Sequence, residues 1–167
     1  MEQKDKIEQL KFCIGRYDSF YDHVNSKGNL YIPLNSFLMS GIVGGYFSLK
    51  DKIHFDSSMI FLLAVTLLFN LLGFGYTIWA TMPYLKSTIK KDASLIFFND
   101  VASNTWLEYD KKYDAMTEQN LYIDFKKQGY LLASGLKKKF NRLTIATIFL
   151  MLQFLGIIII SILIFNK

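Results

Sequence analysis

The chain has 167 residues, of which 51% are hydrophobic, and its formal net charge is +5. Its single cysteine, Cys13, excludes a disulfide framework and a cysteine-based metal cluster. The motifs of P-loop nucleotide hydrolases, zinc peptidases, α/β-hydrolases and dithiol redox enzymes do not occur in the sequence. We therefore expect a protein that is not an enzyme, with no catalytic residue, no metal and no cofactor.

The first predicted element is an amphipathic helix within residues 1–27. Apolar side chains recur every three or four positions between Ile7 and Val24, which is typical of a helix with one packed face. The same register continues into the uncharged stretch 28–49, so the helix is expected to run into it. Pro33 lies within this continuation and is expected to bend it.

Three long stretches without a charged residue define the class of the protein. They cover residues 28–49, 57–85 and 143–166, which are 22, 29 and 24 residues long. A helix needs about 20 mostly apolar residues to cross the hydrocarbon core of a bilayer. The alternative, a soluble helical bundle, does not need uncharged helices of this length. We predict an all-α integral membrane protein with three transmembrane helices.

The segment between the second and third spans, residues 86–142, is predicted to be helical. Thr105 and Glu108 have the spacing of a capping box, which predicts the start of a short helix. Thr117 is a second capping residue, and no proline follows it, so a long helix is expected to continue into the third span. Together with residues 1–27, this segment predicts a helical module outside the bilayer.

Basic residues are distributed unevenly around the spans. Five lie in residues 1–27 and eleven in residues 86–142, against two in the loop 50–56 and one at Lys167. Because two crossings bring the first two segments to the same side, the positive-inside rule places both in the cytoplasm and Lys167 outside. This distribution explains the net charge without DNA or RNA as a partner. We treat residues 1–167 as one multi-pass membrane domain with a cytoplasmic N-terminus.

Each predicted span contains one carboxamide side chain away from its ends, and the first also contains closely spaced glycines. These residues are Asn35, Asn70 and Gln153, with Gly41 and Gly45. An unpaired amide is costly in hydrocarbon, and glycines four residues apart allow helices to approach closely. The amides either bond within one chain, or bond between copies and line a polar path. We assign the five residues to oligomerisation or a pore, since three helices alone enclose no path.

Short motifs along the chain occur in a characteristic order. They are NSKGNLYIPLNSFL at 25–38, LIFFNDVA at 95–102, a short helix with Glu108-Tyr109, then Gln128, and KKKFNRL at 137–143. In this order the sequence resembles the transmembrane effectors of Pycsar anti-phage systems, the PycTM family, over nearly the whole chain. Asn25, Gly28 and Asn99 stand where the family pattern has Asp, Ala and Gly.

The resemblance implies a function, a ligand and partners. In that family a partner cyclase makes a cyclic pyrimidine mononucleotide, cCMP or cUMP, and the effector then impairs membrane integrity so that the infected cell stops growing or dies. We expect an effector of the bacterial inner membrane that is activated by a cyclic nucleotide and acts as a homo-oligomer in the lipid bilayer. The alternatives are a membrane-anchored scaffold protein and a CBASS-type effector that responds to a cyclic oligonucleotide.

Residues for the ligand are expected where the N-terminal helix, the Phe97-Phe98 segment and the last helix meet near the membrane. Basic side chains suit a phosphate, carboxamides suit the edge of a base, and aromatic rings suit its face. Each of these residues also has a purely structural interpretation, as part of the helical module. The candidates are Asn25, Lys27, Phe98, Asn99, Tyr109, Gln128, Lys139 and Arg142.

Overall fold

The computed structural model describes residues 2–83 and 94–166. In this part of the chain the structure is helical and has no strand, as the sequence predicts. The helices are α1 (Gln3–Leu49), α2 (Ser57–Thr81), α3 (Phe98–Ala102), α4 (Trp106–Asp114) and α5 (Glu118–Phe165). The predictions for the end of the second span near residue 85, for the flanking Lys86 and for Lys167 lie outside the described residues.

Three of these helices, α1, α2 and α5, are long and apolar enough to cross a membrane. The helix α1 contains the uncharged stretch 28–49, and α2 and α5 cover residues 57–81 and 143–165 of the other two, so the prediction of three membrane-spanning helices is confirmed. The helix α1 has 47 residues and continues through Pro33, and α5 has 48 residues. Both are more than twice as long as the roughly 20 residues that a bilayer requires. The continuous helices that the periodicity predicts are therefore present.

The predicted capping signals are also present. The Thr105 hydroxyl accepts a hydrogen bond from the Glu108 amide, and the Glu108 carboxylate accepts one from the Thr105 amide at 2.9 Å. The Thr105 hydroxyl also donates to this carboxylate at 2.9 Å, and the two hydrogen bonds donated by the Thr105 amide and hydroxyl lower the pKa of Glu108 below its usual value. The Thr117 hydroxyl accepts a hydrogen bond from the Asn120 amide at 3.2 Å, which caps the start of α5.

The chain divides into two compact units. One, which we call the polar unit, consists of Met1–Asp22 and Pro83–Lys137. The other, the membrane unit, consists of His23–Met82 and Lys138–Lys167. The helices α1 and α5 contribute residues to both units.

Small residues set the register of the helices in the membrane unit. A Cβ atom on Gly28 of α1 would overlap the Thr81 side chain of α2, and one on Gly156 of α5 would overlap Thr66. Because Gly28 begins the first uncharged stretch while Thr81 ends α2, these two helices run antiparallel. The buried face of α2 is correspondingly small and polar. It consists of Met59, Thr66, Asn70, Gly73, Thr77 and Ala80.

Replacing Gly156 with alanine should destabilise the membrane unit. The new Cβ would overlap the Thr66 side chain, and overpacking of this kind costs about 1–3 kcal/mol. Gly75→Ala is the matched control, because nothing lies within 4 Å of a Cβ at Gly75. Thermal unfolding in detergent should show a lower Tm for Gly156→Ala and no loss for Gly75→Ala. An undiminished Tm for Gly156→Ala would contradict the close approach of α2 and α5.

Candidate functional site

Four of the eight predicted ligand residues lie in the polar unit: Phe98, Asn99, Tyr109 and Gln128. Phe98 and Asn99 belong to the short helix α3, where the Phe98 side chain is exposed and its ring lies 5.0 Å from that of Phe97. Tyr109 is in α4, and its ring lies 5.6 Å from that of Tyr113. The aromatic side chains therefore stack on neighbours within their own helix or turn.

Gln128 is the buried member of this group. The residue is 6% exposed, and its Nε2 atom has no hydrogen-bond partner among the described residues. Leaving a buried donor unpaired costs about 1–3 kcal/mol. The carboxamide of Gln128 can therefore offer a hydrogen bond to an acceptor on a bound molecule, such as the edge of a base.

Two aspartates that sequence reasoning missed hold the segment before α3. The Asp100 carboxylate is buried and accepts a hydrogen bond from the Ser94 amide at 2.9 Å. Asp124, one turn before Gln128 on α5, accepts one from the Leu95 amide at 2.9 Å. These contacts fix the start of the segment that leads to Phe98 against α5. The pairing of Leu95 with Asp124 joins residues that are 29 positions apart, so local patterns contain no signal for it.

The first half of α1 packs on α5 in the same unit. The Tyr21 hydroxyl donates a hydrogen bond to the Leu132 carbonyl at 2.9 Å. Lys11 Nζ lies 5.8 Å from the centre of the Phe125 ring, within the range of a cation–π contact. In the polar unit, α1 and α5 thus form a packed helix pair. The segment before α3 is hydrogen-bonded to α5 of this pair.

The other four predicted ligand residues, Asn25, Lys27, Lys139 and Arg142, lie in the membrane unit. Asn25 and Lys27 are exposed on α1, beside the buried Gly28. Since Gly28 contacts Thr81, they lie at the end of the unit where α2 terminates. The structure brings these four residues to one end of the membrane unit, and the prediction of one ligand site for all eight stays a prediction.

The two predicted cationic ligand residues of α5, Lys139 and Arg142, already contact the end of α2. Lys139 Nζ donates a hydrogen bond to the Thr81 carbonyl at 3.1 Å. Arg142 Nη1 donates to the Trp79 carbonyl at 3.2 Å, and its guanidinium lies 4.1 Å from the centre of the Trp79 ring. Burial lowers the pKa of Lys139, and the positive charge of Arg142 lowers it further. Their predicted contact with a phosphate stays a prediction.

The three carboxamides of the spans are all buried in the membrane unit. Asn35 and Asn70 are each 1% exposed and Gln153 is 0% exposed. Asn70 Nδ2 donates to the Asn35 carbonyl at 2.9 Å, and Asn35 Nδ2 donates to the Tyr31 carbonyl at 2.8 Å. Because Thr66 meets Gly156 on the antiparallel α5, Asn70 is about level with Gln153. We call these three residues the carboxamide layer.

Hydrogen bonding in the carboxamide layer is incomplete. Neither Nε2 nor Oε1 of Gln153 has a partner among the described residues, and neither does Asn35 Oδ1. The Oδ1 atom of Asn35 is 3.6 Å from the position of a Cβ on Gly73, so it points at the glycine of α2. The layer therefore contains buried donors and acceptors that have no partner in the part of the chain that the structure describes.

Gly41 and Gly45 of the first span make no close contact with another helix among the described residues. Nothing lies within 4 Å of a Cβ placed on Gly41 or Gly45. Both glycines instead line an apolar cavity of about 230 Å³, together with Phe37 and Ile160 among other side chains. Their predicted role in oligomerisation stays a prediction. In residues 2–83 and 94–166, no group of three or more His, Cys, Asp or Glu side chains is placed to hold a metal ion.

Helical structure, three apolar helices of membrane-spanning length and a polar layer buried among them define a helical membrane protein. A family model described as the Pycsar effector protein domain, PycTM, matches residues 9–166. The chain therefore belongs to the Pycsar effector family and is an anti-phage effector with transmembrane helices, as the order of its motifs predicts. Neither the curated proteins nor the solved structures give a significant match.

Proposed function

We propose that this effector senses a cyclic nucleotide in the cytoplasm, assembles into a homo-oligomer and impairs the integrity of the bacterial inner membrane. Its partner is a cyclase whose product, cCMP or cUMP, activates it. The family provides the anti-phage role. The excess of basic residues in 1–27 and 86–142 supports a cytoplasmic position for the ligand residues.

One observation carries the membrane step of this proposal: the incomplete hydrogen bonding of the carboxamide layer. Gln153 has two buried polar atoms without a partner among the described residues. In hydrocarbon no water is available to satisfy such groups, so each is costly. An arrangement in which several copies share these amides, or in which water reaches them, removes that cost. The layer therefore favours an assembled and hydrated state of the spans.

The ligand step is supported by the continuity of α5. This helix carries Gln128, whose Nε2 atom has no partner within residues 2–83 and 94–166, and Gln153 of the carboxamide layer, and it has no break between them. A ligand that bonds to Gln128 therefore acts on the same helix that holds the layer. A shift or rotation of α5 is the simplest way in which ligand binding at Gln128 would change the packing of the membrane-spanning helices.

Leakage from liposomes tests the proposal directly. The full-length protein is reconstituted with an encapsulated dye, and ligand is supplied on both faces so that orientation does not matter. We expect dye release with cCMP or cUMP and none with cAMP. Release only with a cyclic oligonucleotide would assign a CBASS-type ligand instead. No release with any of these nucleotides would overturn the proposal that the protein senses a cyclic nucleotide.

A further inference from the structure

Lys139 and Arg142 fasten α5 to the last turn of α2 in the membrane unit. They donate hydrogen bonds to the carbonyls of Thr81 and Trp79, at 3.1 Å and 3.2 Å. Both carbonyls belong to the C-terminal turn of α2, which ends at Thr81. Carbonyls in the last turn lack partners within the helix and carry its partial negative charge. Two cations at this position therefore satisfy the orphan carbonyls and complement the helix dipole.

Because Lys139 is buried, its charge needs the hydrogen bond to the end of α2. Lys139 is only 3% exposed, and a buried cation is costly unless it is paired or hydrogen-bonded. Arg142 is less buried, and it adds a stacking contact 4.1 Å from the centre of the Trp79 ring. The end of α2 is thus held by one buried and one partly exposed cation.

The first helix meets the same point. Gly28 of α1 is buried, and a Cβ atom there would overlap the Thr81 side chain. All three long helices therefore meet around Thr81. The backbone of α1 approaches the Thr81 side chain, and the cations of α5 bond to carbonyls of the last turn of α2. A shift of α2 at this end requires both contacts to change.

We propose that this junction is an autoinhibitory latch. The contacts of Lys139 and Arg142 with α2 hold the membrane unit in its resting arrangement, and an anion that competes for the two cations opens it. A phosphate group is a stronger acceptor for a guanidinium than a backbone carbonyl is, because the hydrogen bond is charged on both sides. That this anion is the phosphate of the activating nucleotide rests on the proposed function. The latch itself does not rest on it.

Leakage in the absence of ligand tests the latch. Lys139→Met keeps most of the apolar part of the side chain and removes its charge and donor, and Arg142→Met removes the charge and donors of the partly exposed cation. Both full-length variants should release dye from liposomes at least about fivefold faster than the unmodified protein. A fivefold change is the lower end of the effects usual for coupled two-state equilibria. Lys137→Met is the matched control, because Lys137 is exposed and two residues before Lys139. It should leak no faster than the unmodified protein.

No gain in ligand-free leakage for either variant would overturn the latch. This result differs from a failure of the proposed function, in which the unmodified protein gives no response to cCMP or cUMP. If Lys139→Met does not insert, Arg142→Met alone decides the outcome, since its side chain is less buried.

A reversible cross-link gives a second, independent measurement. A Cβ on Gly28 would lie 3.6 Å from Thr81 Cβ, within the roughly 3.5–4.5 Å that disulfides span. Gly28→Cys with Thr81→Cys, in a Cys13→Ser background that also carries Arg142→Met, should leak when reduced and stop leaking when oxidised. Equal leakage in the two redox states would overturn the claim that separation at this junction opens the membrane unit.

Discussion

Replacing Gln153 with leucine is expected to raise the thermal stability of the protein in detergent and to reduce its ligand-driven leakage. Both polar atoms of the Gln153 side chain are buried without a partner among the described residues. A leucine of similar size removes a penalty of about 1–3 kcal/mol for the unsatisfied amide. If the leaky state uses this amide, leakage should fall by about fivefold or more, as for other coupled two-state equilibria.

Asn70→Leu is the matched comparison, because this amide is bonded within the chain. It donates to the Asn35 carbonyl at 2.9 Å, and such bonds between membrane helices contribute about 0.6 kcal/mol and at most about 1.7 kcal/mol. Its loss should lower the Tm, in contrast to Gln153→Leu, while leakage falls in both variants. Thermal scans, dye release and chemical cross-linking of the oligomer measure these effects. Full leakage and an unchanged oligomer distribution in both variants would mean that the layer only packs a single chain.

The long helices were predictable because their signals are local. The uncharged stretches predict the spans, and the capping residue Thr117 with no later proline predicts a long helix that begins there. The capping box at Thr105 and Glu108 is likewise contained in four consecutive residues. In each case the free energy that selects the structure comes from neighbours along the chain.

Contacts between helices were not predictable in the same way. The spacing of Gly41 and Gly45 indicates a close helix contact, yet nothing described lies within 4 Å of a Cβ at either position, whereas Gly28, Gly73 and Gly156 do have close neighbours. A pattern of small residues describes one helix alone. Which face meets another helix depends on the register between helices, and that is set by the packing of all three.

The charged candidate residues likewise show which part of a contact the sequence predicts and which part it does not. Their residue type indicates that Lys139 and Arg142 bind something negative, and they do contact partial negative charge. The acceptors are carbonyls at the end of α2, which are 58 and 63 residues away in the sequence. The residue type identifies the donor, whereas the acceptor can be identified only from the folded structure.

Removing the donor of Gln128 is expected to reduce the response to ligand without harming the fold. Gln128→Leu fills a similar volume and deletes a buried Nε2 that has no partner among the described residues. The Tm without ligand should therefore be unchanged or higher. The apparent affinity for cCMP or cUMP should fall by up to about tenfold, the equivalent of one neutral hydrogen bond. A thermal shift with ligand equal to that of the unmodified protein would remove Gln128 from the site.

Lys27→Glu is expected to have the larger effect, because it reverses a charge proposed to contact the phosphate. Lys27 is exposed on α1 beside Gly28, at the end of the membrane unit where Lys139 and Arg142 also lie. A charge-assisted hydrogen bond contributes about 1.5–3 kcal/mol, so affinity should fall by about tenfold to a hundredfold or more. Lys4→Glu is the matched control, since it makes the same change in net charge at an exposed position of α1 in the polar unit. Isothermal titration with cCMP and cUMP, at fixed salt, separates a local contact from a general electrostatic attraction. Equal losses of affinity in the two variants would assign the effect of Lys27 to net charge rather than to contact with the ligand.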